Sequence, residues 1–167
     1  MSFIQLQTKY AEAFATALRQ RLGDDLLSVV LYGSVARGAA HPESDIDLLI
    51  VWRNAPSSYY ERLALVLDVS EQIESAPEAL ALRAVAPHAQ LGFLILSKDE
   101  ASQNRYLYLD MTEEAIILYE RERFFTERLT RLRARLAELG SRRVRLPDGA
   151  WYWDLKPDLI AGEAFEL

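Results

Sequence analysis

The sequence predicts a fold of the α/β or α+β class, a sheet covered by helices, on three observations. Short β-branched runs alternate with stretches whose apolar residues recur at helical spacing. Half of the 167 residues are hydrophobic and 26% are charged, a composition able to bury a core, and the length suits one domain better than two. No repeat or low-complexity segment interrupts the pattern.

Leu6, Tyr10, Phe14, Ala17 and Leu18 share one helical face, so residues 4–22 read as an amphipathic helix stopped by Gly23. Ser28-Val29-Val30-Leu31-Tyr32 is a buried strand ended by Gly33. Ser34 to Ala40 leaves room for no more than two helical turns before a loop through His41, Pro42 and Glu43. Asp45 to Trp52 is a second strand, with Ile46, Leu48 and Ile50 on one side. Asn54-Ala55-Pro56-Ser57 is a turn with capping chemistry, and residues 58–75 follow as a helix with Leu63, Val66, Leu67 and Ile73 inward. Pro77 and Pro87 bracket a stretch without a clear period. Leu91 to Leu96 is a third strand, and Ser97-Lys98-Asp99-Glu100 has the spacing of a capping box that opens another helix. Ala115 to Tyr119 is a fourth strand. Phe125, Leu129, Leu132, Leu136 and Leu139 mark a long helix closed by Gly140. Arg142 to Leu146, a Pro147-Asp148-Gly149-Ala150 turn and Trp151 to Leu155 form a β-hairpin. Residues 1–120 are thus expected to be the core, with 121–167 a helix-plus-hairpin extension packed on it.

Composition narrows the function. No apolar run approaches the roughly 20 residues of a membrane span, and Met1-Ser2-Phe3-Ile4-Gln5 does not open a secretory signal, so a cytoplasmic location is expected. There are no cysteines, hence no thiol nucleophile and no thiolate metal site. His41 and His88, beside prolines in loops, read as surface histidines. The net charge of −6 argues against a general nucleic-acid binder. It is uneven: residues 1–115 carry −7, 116–146 carry +5 and 147–167 carry −4. Arginine supplies 16 of the 19 cations. A solvated helix face explains the basic stretch, and a docking face for an acidic partner is the sharper reading.

The chemistry concentrates in Leu31-Tyr32-Gly33-Ser34-Val35-Ala36-Arg37-Gly38 and Ser44-Asp45-Ile46-Asp47. Two residues apart on a strand, Asp45 and Asp47 project from the same face. Like charges so close repel unless a cation lies between them, and a hard ion such as Mg²⁺ prefers such oxygens. Gly33 lets backbone approach a ligand closely, and Ser34 offers a hydroxyl beside exposed N–H groups, a combination that binds phosphate. Arg37, one turn on, either reaches the same anion or ties the loop down. A P-loop is excluded, because Ala39-Ala40 stand where its lysine and hydroxyl residue belong. Ser44 braces the loop before the strand, and Trp151 and Trp153 share one hairpin face for packing.

Gly33-Ser34 followed by Asp45-Ile46-Asp47 resembles the signature of the DNA polymerase β-type nucleotidyltransferase superfamily. More narrowly, the size and the Gly-Ser-x-Ala-Arg-Gly form resemble the minimal nucleotidyltransferase (MNT) proteins. The motif spans residues 29–51, and the likeness in element order extends over roughly residues 1–120. The resemblance implies a nucleotidyltransferase fold, a small mixed sheet flanked by helices. It implies Asp45 and Asp47 as catalytic ligands of one or two Mg²⁺ ions, and Gly33, Ser34 and Arg37 as contacts to the phosphates of ATP or another nucleoside triphosphate. It further implies transfer of a nucleotide, AMP from ATP, to a hydroxyl. MNT relatives are often paired with HEPN-domain toxins, in some cases adenylylating them on a tyrosine, so the resemblance suggests that acceptor, and a homo-oligomer is compatible with the family.

One departure stands out. Active members usually carry a third acidic residue on the next core strand, and here that strand, Ala89 to Leu96, has none. Gln90 could ligate but could not act as a base, while Glu74, Asp99, Glu100 and Glu120 flank nearby elements. Two further readings therefore stand beside the enzyme: a nucleotidyltransferase-like module that neutralises a partner by contact, and an aminoglycoside-type small-molecule transferase.

Overall fold

A computed structural model describes residues 1–167. The first helix, α1 (Phe3–Leu22), starts from a capping box in which the Ser2 hydroxyl accepts from the Gln5 N–H while Gln5 reaches back to Ser2, and it stops at Gly23. Strand β1 (Leu26–Tyr32) follows, beginning two residues before the expected run. The expected short helix is the single turn α2 (Gly33–Ala36), after which β2 (Ile46–Trp52) returns antiparallel beside β1. Helix α3 (Tyr59–Gln72) is capped by Ser58. The stretch between the prolines is a short helix, α4 (Pro77–Arg83), with Pro77 at its first turn, where a missing N–H costs nothing.

Strand β3 (Leu91–Ser97) runs parallel to β2. The capping box at Ser97 and Glu100 forms as expected, but its helix, α5 (Lys98–Ala101), lasts one turn. Ser102-Gln103-Asn104 breaks it, and a separate helix, α6 (Tyr106–Glu114), covers residues the sequence pattern left unassigned. Strand β4 (Ile116–Glu120), helix α7 (Phe124–Glu138) and the hairpin of β5 (Arg142–Arg145) and β6 (Trp151–Asp154) complete the chain.

The main sheet has the order β3-β2-β1-β4, mixed because only the β2–β3 pair is parallel. Both its faces are covered. Leu26, Leu31, Ile46, Leu48 and Ile50 meet Phe14 and Leu18 of α1, Val66 and Val69 of α3 and Leu82 of α4. Leu27, Val30, Leu49 and Val51 meet Tyr108 and Met111 of α6 and Phe125, Leu129 and Leu132 of α7. Phe14 packs at 5.1 Å between ring centroids on Phe93, and Tyr108 meets Phe125 edge-on at 5.3 Å. Truncating the fully buried Phe14 to alanine would cost about 3–5 kcal/mol. One expected core position fails: Leu67 is 45% exposed, because Val66 and Val69 hold the centre of the buried stripe and Leu67 lies one helical step past it.

The fold leaves β1 and β2 sealed along their length and open at one end, where Tyr32 pairs with Asp47. The functional residues gather there.

Candidate active site

The bend after β1 is set by Gly33, whose φ of +72° lies in the left-handed region that glycine alone adopts cheaply. A second demand falls on the same residue. A Cβ at position 33 would lie 2.2 Å from the Asp47 Oδ2 and 3.2 Å from its Cγ, so the carboxylate occupies the space glycine leaves. On the other neighbouring strand, Gly92 is the register partner of Asp47, and a Cβ there would meet Oδ1 at 3.3 Å. Each oxygen of Asp47 is therefore flanked by a glycine, one at the end of β1 and one in β3.

Asp45 stands two residues earlier, exposed, on a loop pinned from below. The buried Gln7 of α1 donates through Nε2 to the Ser44 carbonyl (3.1 Å), and the Ser44 hydroxyl accepts from the His41 N–H (3.0 Å). Ser44 thus braces the loop as expected. Asp47 is half-buried, and burial pushes its carboxyl above the usual range; the Asp45 charge pushes the same way, and Arg37 opposes both. The neighbouring Tyr32 hydroxyl is pushed up to about 12, first by burial and then by Asp47 and Tyr59. The two carboxylates and the glycine bend are thus one electrostatic unit, with Arg37 as its nearby cation.

Arg37 follows the turn, its N–H bonded to the Gly33 carbonyl (3.2 Å). Its guanidinium pairs with Glu114 (Nε–Oε2 3.6 Å) and lies 5.0 Å over the Trp151 ring. Between bend and α6 lies a recess of about 120 Å³, walled by Tyr32, Gly33 and Arg37 on one side and Asp110, Met111 and Glu114 on the other. That volume suits a phosphate-sized group, since a whole drug-sized ligand needs roughly 300 Å³ or more.

The acids considered as a third member do not join the pair. Asp99 and Glu100 follow the far end of β3, where Ser97 pairs with Trp52, and Glu100 is held by Arg62 (2.5 Å). Glu120 accepts from the Thr126 N–H (3.0 Å) and hydroxyl (2.6 Å), and Glu74 pairs with Arg83 (3.2 Å). Gln90 is exposed and gives its backbone carbonyl to the Ile46 N–H (2.8 Å). No group of three or more acidic, histidine or cysteine side chains gathers in the protein. Asp110, Glu114 and Trp151, which the sequence reading missed as site residues, come from α6 and the hairpin. The acids lie four apart in Asp110-Met111-Thr112-Glu113-Glu114, the one local sign that they share a helix face.

The donor set fits a hard divalent cation. One carboxylate near the start of β2, a second on the loop just before it and a small recess that shares Gly33 match the Mg²⁺ habit of one or two protein carboxylates plus substrate phosphates.

Comparison with known proteins places these features in a wider group. A profile described as a nucleotidyltransferase domain matches residues 11–143. A Methanocaldococcus jannaschii protein that bears the name protein adenylyltransferase is 40% identical over 58 residues, 35% of this chain and 40% of that protein. The match therefore spans about two-fifths of that relative's length. Among solved structures, a toxin–antitoxin with AMP-PNP is similar at a TM-score of 0.47 and 15% identity, covering 77% of this chain and 92% of that one. A Sulfolobus solfataricus structure described as a nucleotidyltransferase is similar at 0.45 and 18%, covering 73% and 90%.

Proposed function

From the premise that this chain belongs to the nucleotidyltransferase domain family, we propose that it transfers AMP from ATP to a hydroxyl of a partner protein. The observation that carries this reading is the Asp47 carboxylate set against the Gly33 bend, with the Asp45 charge acting on it from the preceding loop and Arg37 acting on it in the opposite sense. The stretch similar to a protein adenylyltransferase favours a protein acceptor. The MNT-like motif points further, to a tyrosine of a HEPN-domain toxin and an antitoxin role.

In this mechanism Asp45 and Asp47 would hold Mg²⁺, which would supply positive charge to the reacting phosphate. Gly33 admits the triphosphate close to backbone, Ser34 donates its hydroxyl to a phosphate oxygen, and Arg37 offsets the charge that gathers on the phosphates. The acceptor oxygen attacks the α-phosphorus in line, its bond to phosphorus forms as the bond to pyrophosphate breaks, and the acceptor proton passes to solvent or to a neighbouring carboxylate. Positioning and charge stabilisation supply the rate.

A second reading has its own support. Strand β3 carries no acid, where active relatives of the MNT type usually have one on this strand, and it sets Gly92 beside Asp47, which favours a module that neutralises its partner by contact. One experiment separates the two. The chain is incubated with Mg²⁺, α-labelled ATP and a HEPN-domain protein from the same genome. Transfer predicts label on that protein, lost in Asp45→Asn/Asp47→Asn. Neutralisation that survives the double substitution, with no label, overturns transfer in favour of the contact module.

A further inference from the structure

The C-terminal hairpin reaches the residues around the site through Trp151, Trp153 and Arg143. Trp151 lies against two guanidiniums, Arg37 at 5.0 Å and Arg143 at 4.1 Å from its ring. Both arginines pair with the same carboxylate, Glu114. The indole N–H of Trp151 donates to Asp110 Oδ1 (2.9 Å), and the Trp153 indole donates to the same oxygen at 2.9 Å, so α6 fixes the plane of the ring.

We propose that the hairpin is part of the nucleotide site, with Trp151 and Glu114 as positioning residues that hold the Arg37 guanidinium at the Gly33 bend for the phosphates of a nucleoside triphosphate. The inference rests on the proposed function and assigns to that site residues from outside its motif. Arg37 follows a single helical turn, and a free arginine there would lose rotamer freedom on binding an anion. Stacking on Trp151 and the Glu114 charge 3.6 Å away restrict it beforehand. The Glu114 and Arg143 side chains are only 17% and 12% exposed, so their pairing is shielded from solvent and salt. Because Glu114 serves two guanidiniums, Arg37 is oriented without being fully neutralised. Its side chain lines the recess beside Gly33, whose two acidic walls, Asp110 and Glu114, are already engaged by the indole N–H groups and by Arg143.

The test is a double-mutant cycle on the full chain, reading the dissociation constant of ATP with Mg²⁺ by calorimetry. Trp151→Ala should weaken ATP by about 5- to 20-fold, while Trp151→Phe, which keeps an aromatic face, stays within about threefold of wild type. In an Arg37→Ala background, Trp151→Ala should add less than about twofold, because its effect passes through Arg37. A purely structural hairpin predicts losses that multiply. Glu114→Gln keeps the side-chain shape and guards against a Trp151→Ala chain that does not fold; it should weaken ATP by about 3- to 10-fold and be equally silent without Arg37. Wild-type affinity in Trp151→Ala, or multiplicative losses in both cycles, overturns the inference alone. Wild-type chain that binds no ATP overturns the proposed function and the inference with it.

Discussion

Gly33 and Gly38 form a matched pair for testing the site. Their φ values are +72° and +70°, so an alanine at either pays the same left-handed penalty. That penalty is about 1–2 kcal/mol, offset by about 0.4–1 kcal/mol because alanine also restricts the unfolded chain. Around Gly38 nothing lies within 4 Å of an added Cβ, so Gly38→Ala should lose only about 0.5–1 kcal/mol, roughly 1–4 °C in Tm for a chain this long. At Gly33 the added methyl lands 2.2 Å from Asp47 Oδ2. The carboxylate must leave its rotamer, which costs about 0.5–1.5 kcal/mol more. Gly33→Ala should therefore lose about 2 kcal/mol, or about 4–8 °C.

The functional effect should be larger. A displaced carboxylate misplaces whatever it holds, and an error near 1 Å costs about 100-fold in rate. Thermal denaturation in EDTA, followed by circular dichroism, compares the two variants without ligand, and label transfer gives the rate. Asp47→Ala supplies the internal control. With Oδ2 and Cγ gone, the remaining Asp47 Cβ stands 3.4 Å from the new methyl, an ordinary contact. Gly33→Ala/Asp47→Ala should thus melt no lower than the sum of a Gly38→Ala loss and that of Asp47→Ala alone. If Gly33→Ala melts together with Gly38→Ala and transfers label at the wild-type rate, Asp47 does not occupy the glycine bend as described.

Two further outcomes are expected. Gly92→Asp places a third carboxylate beside Asp47, so it should lower Tm in EDTA by repulsion and regain more on adding Mg²⁺ than wild type does; a melting temperature indifferent to Mg²⁺ would count against a cation seat here. Glu100 has a carboxyl held below the usual range, mainly by its hydrogen bond from Arg62 and then by the Ser97 N–H. Its stabilisation should be present above the unfolded value of 4.5 and vanish as pH falls through the depressed one. Glu100→Gln should cost about 1 kcal/mol at neutral pH by urea denaturation, a figure discounted for partial exposure, and the gap should close in strong acid; a gap that persists there would refute the assignment.

What could be read in the sequence was local. The Ser97–Glu100 box, the Gly23 stop and the periodicity of α1 and α7 depend on neighbours within a few residues, and all of them form as read. The fold class followed from their alternation. The opposition of Gly33 and Asp47 was legible only as a motif, since spacing alone does not fix the register that pairs Tyr32 with Asp47. Asp110, Glu114 and Trp151 were invisible as site residues because each stands 59 or more residues past the motif's end at residue 51 and only packing brings them back. The basic stretch shows the same limit. Much of it faces partners inside the chain: Arg121 pairs with Asp24, Arg133 donates to the Thr112 carbonyl and Arg143 pairs with Glu114. An excess of charge in sequence is not an excess on a surface.

The placement of Asp47 explains why the site draws on so distant a segment. β1 and β2 are sealed by helices on both faces, and this close packing makes the strand edge rigid. The same packing removes water from Asp47, so its charged form is disfavoured before any ligand arrives. Glycines at both oxygens let the carboxylate sit close against backbone and provide no hydrogen-bonding side chain to replace the lost water. Positive charge must then come from a bound ion or from Arg37. An arginine on a one-turn helix supplies it reliably only if its position is fixed from outside that helix, and here α6 and the hairpin fix it. The β3 position beside Asp47 carries no third acid to recruit further cations, which raises the share of the charge that Arg37 must meet. Rigid carboxylates and a braced arginine are thus consequences of one constraint: a negative charge held in a dry strand edge has to be answered by positive charge that is equally well placed.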